Sequence, residues 1–496
     1  MIRAYSVSSV RSAEAAAMVG LEEDVLMSRA ASGLAAVASS RLGHPGGRRV
    51  VAMVGAGNNG GDALYAAALL AKDGAAVVVL KVADAVHEGG LRAARDAGAL
   101  VLAAVGVRAD PASVVSSALG SAELLIDGIV GIGGRPGLSP QIDGLLREVS
   151  GTAYVMAVDL PSGADPDGEV ETQSCVHADE TVTFIVPKPV HLLPATERAV
   201  GRLTVVDIGV EIGGAPVVER VTPEDISRLW PRPGPMDDKY SRGVLGIVAG
   251  GESYTGAALL AVTAAVCSGA GMVRYIGPPT PTLLVRAQVP EAVIGEGTVQ
   301  AWLLGPGVDV DDESTQGRAQ VVAARSALDS GLPCVVDAGG LELIVEPRST
   351  PTLLTPHAGE LARLMTRLDA PVDRATVARS PLAYARHLAD LTNSTILLKG
   401  ATTLVASPSS SGLPVRSQAD APSWLATAGS GDVLAGLAGT LLASGLSPME
   451  AGSVAALVHG LAAGAANPGG PVRALGVAQA IPGVVAALLA RKPARS

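Results

Sequence analysis

Two glycine-rich turns hold the residues best placed to do chemistry. Gly55-Ala56-Gly57-Asn58-Asn59-Gly60-Gly61-Asp62 lies near the start of the chain, and Ala428-Gly429-Ser430-Gly431-Asp432-Val433-Leu434 lies near its end. Each sets small residues, and so bare backbone N–H groups, ahead of a helix-like run, where a helix N-terminus favours a phosphate. Each also places an aspartate at the helix entrance. Two such turns so far apart do not fit one domain, so two catalytic domains acting on related nucleotide substrates are expected.

In the first half, two further segments end apolar runs. Asp127-Gly128-Ile129-Val130-Gly131-Ile132-Gly133-Gly134-Arg135 is a flexible loop, and Ala157-Val158-Asp159-Leu160-Pro161-Ser162-Gly163 closes a buried strand with a carboxylate and a turn. The carboxyl ends of parallel strands gather at one sheet edge, where ligands bind. The amides of Asn58 and Asn59 suit a ribose, a phosphate or an alkali cation. Asp159 is the expected acid–base group. Lys81, ending the second strand, is a second candidate, with a solvated surface lysine as the plain alternative.

The second half contains the parts that phosphoryl transfer needs: amides for an anion, a base for the attacking hydroxyl and a cation for the phosphates. The Gly429–Gly431 backbone supplies the first. Asp432 is the candidate base, or else a helix N-cap. Lys399-Gly400-Ala401-Thr402-Thr403, after an apolar strand, supplies a cation and hydroxyls. His357, in Thr355-Pro356-His357-Ala358-Gly359-Glu360, is either a substrate contact or an ordinary turn residue. Leu304-Gly305-Pro306-Gly307 and Tyr254-Thr255-Gly256-Ala257-Ala258 are small-residue turns that admit close approach by a ligand.

The elements that must position these residues alternate between strand and helix. Arg49–Val54, Ala75–Lys81, Glu123–Asp127 and Tyr154–Val158 read as strands; Ala63–Lys72 and Pro140–Val149 read as helices, preceded by helices at Val10–Ala17 and Val25–Arg41. This is the rhythm of a parallel sheet covered on both faces. Breaker-rich sequence between Ile212 and Pro235 separates a domain at 1–215 from one at 222–496. Beyond it, strands are expected at Val244–Ala249, Ala301–Leu304, Pro333–Asp337, Thr352–Thr355 and Thr395–Lys399. Helices are expected at Thr255–Ser268, near Glu360, from Gly431 and through most of the last stretch, with Ser407–Gly412 as a hairpin tip or exposed loop. The expected fold class is α/β throughout, with two three-layer domains.

Asn58-Asn59-Gly60-Gly61-Asp62, Asp159-Leu160-Pro161-Ser162-Gly163 and Ala178-Asp179-Glu180-Thr181-Val182-Thr183-Phe184 resemble the NAD(P)H-hydrate epimerase family over about residues 10–210. The resemblance implies a Rossmann-like domain that interconverts the C6 epimers of hydrated NADH or NADPH. It also implies that Asn59, Asp127 and Ser162 hold a potassium ion. Substrate would lie on Asn58, Asn59, Gly60, Gly61 and Asp62, on the loop of Gly131, Ile132, Gly133, Gly134, Arg135, Pro136 and Gly137, and on Asp159. Where the family usually reads Asp-Ala-Leu-Phe-Gly-Thr-Gly this chain has Asp127-Gly128-Ile129-Val130-Gly131-Ile132-Gly133, which keeps the carboxylate and the later glycines.

Lys239-Tyr240-Ser241-Arg242-Gly243, Gly250-Gly251-Glu252-Ser253-Tyr254-Thr255-Gly256-Ala257, Leu354–Glu360 and Ala428–Leu434 resemble the ribokinase-like ADP-dependent NAD(P)H-hydrate dehydratases over about residues 222–490. That resemblance implies phosphorylation of the C6 hydroxyl of the S epimer by ADP, then loss of phosphate to give NAD(P)H and AMP. Asp432 would be the base. Lys399, Gly400, Ala401, Thr402, Thr403 and Gly431 would hold ADP with magnesium, and Ala257, Gly307 and His357 would line the hydrated-nicotinamide pocket. Where the family commonly reads Asp-Ala-Asp-Ala-Leu, Asp337-Ala338-Gly339-Gly340-Leu341 lacks the second carboxylate.

Composition narrows the alternatives. With 37 basic against 47 acidic residues the net charge is −10, which disfavours nucleic acid as a partner. With one Phe, three Trp and seven Tyr, the core must be built from small aliphatic residues. Three dispersed cysteines form no disulfide framework and suit a cytoplasmic enzyme. The uncharged Ser253–Val273 window is expected as a buried helix and strand, not a membrane span. A homo-oligomer is expected from the general habit of such enzymes. A ribokinase-like small-molecule kinase fused to a non-catalytic nucleotide-binding domain is the competing reading.

Overall fold

The computed structural model describes residues 1–20, 24–106 and 109–491. The chain divides into two compact units, Arg3–Val218, and Glu219–Ser496 with Met1–Ile2.

In the first unit seven strands form one sheet. In spatial order they are Leu100–Ala103, Ala76–Lys81, Arg49–Val54, Leu124–Gly128, Tyr154–Val158, Glu180–Phe184 and Arg202–Val206. All neighbours pair in parallel. Counted along the chain this order is 3-2-1-4-5-6-7, the Rossmann order with one strand added. The central strand shows why both faces are covered. Val50, Ala52 and Val54 join the core under helices Val25–Leu42 and Asn58–Lys72, while Val51 and Met53 join the core on the other face. Alternate residues of a strand point to opposite faces, so an unbroken apolar run needs a layer on each side.

The order reverses between Arg49–Val54 and Leu124–Gly128, which opens a crevice at their carboxyl ends. Here a Cβ on Gly55 would lie 1.9 Å from the Ile129 carbonyl oxygen, so only glycine lets these two loops touch. The helix expected from Ala63 begins earlier, spanning Asn58–Lys72 with Gly57 as its N-cap. The Asn-Asn-Gly-Gly-Asp segment is thus the first turn of a helix rather than a loop before it.

In the second unit the strands from one edge run Val293–Ile294, Met272–Ile276, Val244–Val248, Ala301–Leu304, Cys334–Val336, Thr352–Leu354 and Thr395–Leu398, all parallel. Thr403–Ala406 and Val415–Gln418 then continue the sheet antiparallel, and the 407–412 segment is their hairpin connection. Helices Thr255–Cys267, Ser430–Ala443, Pro448–Ala466 and Ala474–Leu489 pack together in the main core on one face. Thr315–Leu328 and Pro381–Thr392 lie against the strands on the other. This is the expected α/β/α layering. The 253–273 window is the helix Thr255–Cys267 and the start of a strand, as anticipated. Among the described residues one helix, Pro448–Ala466, is long and apolar enough to cross a membrane, and two thirds of it is buried in the core.

Candidate functional site

At the crevice of the first unit lies a cavity of about 520 Å³, lined by Arg11, Glu14, Ala56, Gly57, Asn58, Asn59, Asp62, Ile129, Val130, Gly131, Ile132, Gly133, Gly134, Asp159 and Phe184. The sequence therefore locates most of it. Some expectations are corrected. Lys81 is not among the lining residues, and its ammonium donates to the Asp84 carbonyl at 3.2 Å, so the geometry gives it no part in the reaction. Gly60 and Gly61 also lie off the wall: a Cβ on Gly60 would meet the Gly55 carbonyl oxygen at 2.3 Å, and one on Gly61 the Met27 sulfur at 2.7 Å. They are small so that the helix can pack. Arg135, Pro136 and Gly137 are exposed and stand outside the lining.

Asp159 ends its strand in the left-handed region, with φ +65°. A non-glycine residue stays there only when neighbours fix it. His191 does so: it accepts from the Lys188 backbone N–H through Nδ1 at 2.9 Å, which leaves Nε2–H to donate to the Asp159 carbonyl at 2.7 Å. Burial holds His191 near 4, so the ring is neutral. Lys188, fully buried, donates to Asp159 Oδ1 at 2.5 Å, to Thr183 Oγ1 at 2.8 Å and to the Phe184 carbonyl at 3.1 Å. Thr183 also donates to Asp159 Oδ1 at 2.8 Å. Burial pushes the Asp159 carboxyl up, but the Lys188 ammonium and these hydrogen bonds outweigh it and hold the group below the usual carboxylate value. Sequence reading missed Lys188 and His191. Their signal is a lysine and a histidine inside the apolar stretch Val186-Pro187-Lys188-Pro189-Val190-His191-Leu192-Leu193.

Asp127 and Ser162 meet directly, and Asn59, a cavity-lining residue, lies against the 128–131 loop to which Ser162 is also bonded. Asp127, fully buried, accepts from Ser162 Oγ at 2.6 Å, from Ser162 N–H at 2.8 Å and from Ile129 N–H at 3.3 Å. No cationic side chain among the described residues is bonded to it, and burial raises its carboxyl to about 6. The Asn59 side-chain nitrogen is buried without a partner, and the amide lies against Gly131. A buried acid without counter-charge, bonded to a hydroxyl, with an unsatisfied amide on the adjoining loop, supplies hard-oxygen donors that fit an alkali cation.

In the second unit the cluster forms at the carboxyl ends of Cys334–Val336, Thr352–Leu354 and Thr395–Leu398. Asp337 accepts from Lys399 Nζ at 2.8 Å and from Thr355 Oγ1 at 2.8 Å. Lys399 Nζ also stands 3.5 Å from Glu360 Oε2. Burial lowers the Lys399 ammonium, but Asp337 and Glu360 overcome this and hold it above its ordinary value. The helix Ser430–Ala443 begins opposite, with Gly429 at φ +85° as N-cap and no side chain capping its first amides. Asp432 is therefore not the cap; it sits in the first turn, on the side of Asp337, Lys399 and Glu360. Burial, then Asp337, push its carboxyl up to about 7. A Cβ on Gly431 would lie 3.4 Å from Lys399 Nζ, so the glycine backbone faces the ammonium directly. Lys399, Gly400, Ala401, Thr402 and Thr403 form the turn between two sheet strands, with Thr402 buried and Gly400 and Ala401 exposed.

Ala257 and Gly307 meet, since a Cβ on Gly307 would lie 2.8 Å from that of Ala257. His357 is the N-cap of helix Ala358–Arg367: Nδ1 accepts from Gly359 N–H at 3.0 Å and Glu360 N–H at 3.2 Å, while Glu360 accepts from the His357 N–H at 2.8 Å. Its side chain is half exposed. The turn-residue alternative thus describes the observed bonds of Nδ1, and Nε2 is left on the side of Glu360, 3.5 Å away. Sequence reading gave no role to Asp337 and Glu360, although both stand in its motifs.

Residues 245–475 match the family model described as NAD(P)H-hydrate dehydratase, and residues 23–190 match that of YjeF-related protein N-termini. The chain is 42% identical over 484 residues to the bifunctional NAD(P)H-hydrate repair enzyme Nnr of Mycobacterium leprae, covering 94% of each. It is 42% identical over 464 residues to the enzyme of the same name from Mycobacterium tuberculosis, covering 90% of each. An ADP/ATP-dependent NAD(P)H-hydrate dehydratase from Bacillus subtilis, crystallised with ATP and Mg²⁺, is similar at 25% identity and a TM-score of 0.48, over 54% of this chain and 97% of its own. With an α/β epimerase-type unit and a dehydratase-type unit matched along nearly its whole length, the chain belongs to the bifunctional NAD(P)H-hydrate repair enzymes.

Proposed function

We propose that the 1–215 domain epimerises hydrated NADH or NADPH at C6, and that the 222–496 domain dehydrates the S epimer at the expense of ADP. The supporting observation is Asp432. It is a carboxyl raised to about 7, at an uncapped helix N-terminus, facing an ammonium shared by two acids. A base with this value takes a hydroxyl proton at neutral pH. The activated C6 oxygen attacks the β-phosphorus of ADP and AMP leaves. The amides of Ser430 and Gly431 and the Lys399 ammonium balance charge on the transferred group. The N1 lone pair then expels phosphate from C6, a far better leaving group than hydroxide, and C5 gives up a proton as the C5–C6 double bond forms, which restores NAD(P)H.

Asp337 and Glu360 would hold magnesium with the bound ADP, and the ion would supply charge neutralisation to the phosphates. In the first domain Asp159, kept ionised by Lys188, is the proton acceptor for epimerisation. Asn59, Asp127 and Ser162 would hold potassium, which supplies the counter-charge the buried Asp127 lacks. The same reading makes this a cytoplasmic homo-oligomer working on small molecules.

An epimer mixture of hydrated NADH, incubated with the protein, ADP, Mg²⁺ and K⁺, tests the reading through recovery of the reduced-nicotinamide absorbance. Complete recovery is expected. Recovery that stalls at the S fraction would remove the epimerase role, and no ADP-dependent recovery would favour a kinase for another alcohol.

A further inference from the structure

We propose that Asp62 is a second catalytic residue of the epimerase cavity, the proton donor that works opposite Asp159. This rests on the reading of that cavity as the epimerase site with Asp159 as acceptor. Epimerisation by ring opening moves two protons. Asp159 takes the proton of the C6 hydroxyl, the C6–O double bond forms and the C6–N1 bond breaks. N1 carries away the bonding pair and must receive a proton. Rotation about C5–C6 then presents the other face, and the same two transfers in reverse close the ring. One carboxylate cannot serve both atoms at once; a neutral acid is needed beside it.

The cavity contains such an acid. Asp62 lies in the first turn of helix Asn58–Lys72, 9% exposed, with its side chain in the cavity wall. Its carboxyl group has no hydrogen-bond or ion-pair partner among the described residues. The charged groups around it are Asp159 from the strand end, Glu14 from helix Val7–Met18, Lys188 and Arg11. Lys188 is committed to Asp159 Oδ1, Thr183 Oγ1 and the Phe184 carbonyl, and Arg11 donates to the Ile132 carbonyl. His191, against the Asp159 backbone, is neutral. An ionised Asp62 would thus face two acids with no counter-charge of its own.

The protonation equilibria agree with that geometry. Burial, then Asp159 and Glu14, push the Asp62 carboxyl well above its ordinary value, while Lys188 holds Asp159 below. Two carboxyls driven apart by their surroundings are the mark of an acid and its base.

The test uses the full-length chain in potassium buffer without ADP, following R-to-S interconversion of hydrated NADH by chromatography. Asp62→Asn is expected to lower kcat by about 10²–10⁴-fold, change the Kd for hydrated NADH far less than kcat, and abolish the alkaline limb of the kcat–pH profile. A wild-type kcat, or a loss carried wholly by Kd, would overturn the proposal. Asp159→Asn, run in parallel, separates the two claims. Full activity there sinks the reading of the cavity itself, whereas an inactive Asp159→Asn beside a fully active Asp62→Asn sinks only the role of Asp62. Should Asp62→Asn not bind substrate, Asp62→Glu decides: restored turnover with a displaced alkaline limb supports the donor role, and an undisplaced limb or no turnover overturns it.

Discussion

Lys399 and Asp337, 62 positions apart in sequence, meet in a 2.8 Å ion pair at the carboxyl edge of the second sheet. The ammonium is shared with Glu360, 3.5 Å away. One cation between two acids leaves little for a third, and Asp432 is the third. Its proton affinity is set by burial and by Asp337 across the gap.

The pH profile of dehydration should show this. A base raised to about 7 is protonated in acid, so kcat for the S epimer at saturating ADP should fall as pH drops through about 7 and level off above it. Asp432→Asn should lower kcat by about 10²–10⁴-fold. Stopped-time absorbance assays across pH check both, and an unchanged acid limb in the variant would remove Asp432 from the base role.

Lys399→Met removes the shared cation and leaves Asp337 and Glu360 facing each other. Breaking a buried pair costs about 3–5 kcal/mol, and the lower end applies because the lysine side chain is 20% exposed. Urea unfolding should show this loss, and the KM for ADP should rise. A variant of wild-type stability with an unaltered KM would contradict the arrangement.

For Lys188→Met the sign follows from what remains. Without the ammonium, burial outweighs the remaining Thr183 hydrogen bond and the folded-state pKa of Asp159 rises. The acid limb of the epimerisation profile should then move to higher pH, with activity lost where the native enzyme still works. Dehydration of pure S epimer should be untouched. An unmoved limb would count against Lys188 as the group that keeps Asp159 ionised.

Potassium should accelerate epimerisation in the native chain, and Asp127→Asn should erase the response by removing the buried charge that needs a cation. Rates in potassium, sodium and choline chloride at equal ionic strength make the comparison. A full potassium response in Asp127→Asn would move the ion elsewhere.

Gly339→Asp, which restores the family's more usual acid, should not improve catalysis here. A Cβ at Gly339 would lie 1.9 Å from the Val308 carbonyl oxygen, which is backbone and cannot step aside. Overpacking of this kind costs about 1–3 kcal/mol, and a thermal melt should register the loss. A variant as stable as the native chain would show that the loop yields.

The glycine turns, the strand-ending aspartates and the apolar periodicity were legible because they are local. A strand ending in Asp159 or Asp127 shows itself in a few neighbouring residues, and parallel strands with covered faces force those ends to one edge. Most of the cavity wall and the place of Asp159 in it followed from that. Lys81 misled because it too ends a strand, but on the next strand outward, where its ammonium turns to the Asp84 carbonyl.

What only the tertiary structure decided is which charge faces which. Lys188 reaches Asp159 across 29 positions and Lys399 reaches Asp337 across 62. Nothing in either local sequence names the partner. Proton affinity depends on burial and on distances to charges from other elements, both properties of the packed chain. The sequence by itself thus marked Asp159 and Asp432 as candidate acids, and folding determined which other acids and cations stand beside them and so which are ionised and which keep their proton.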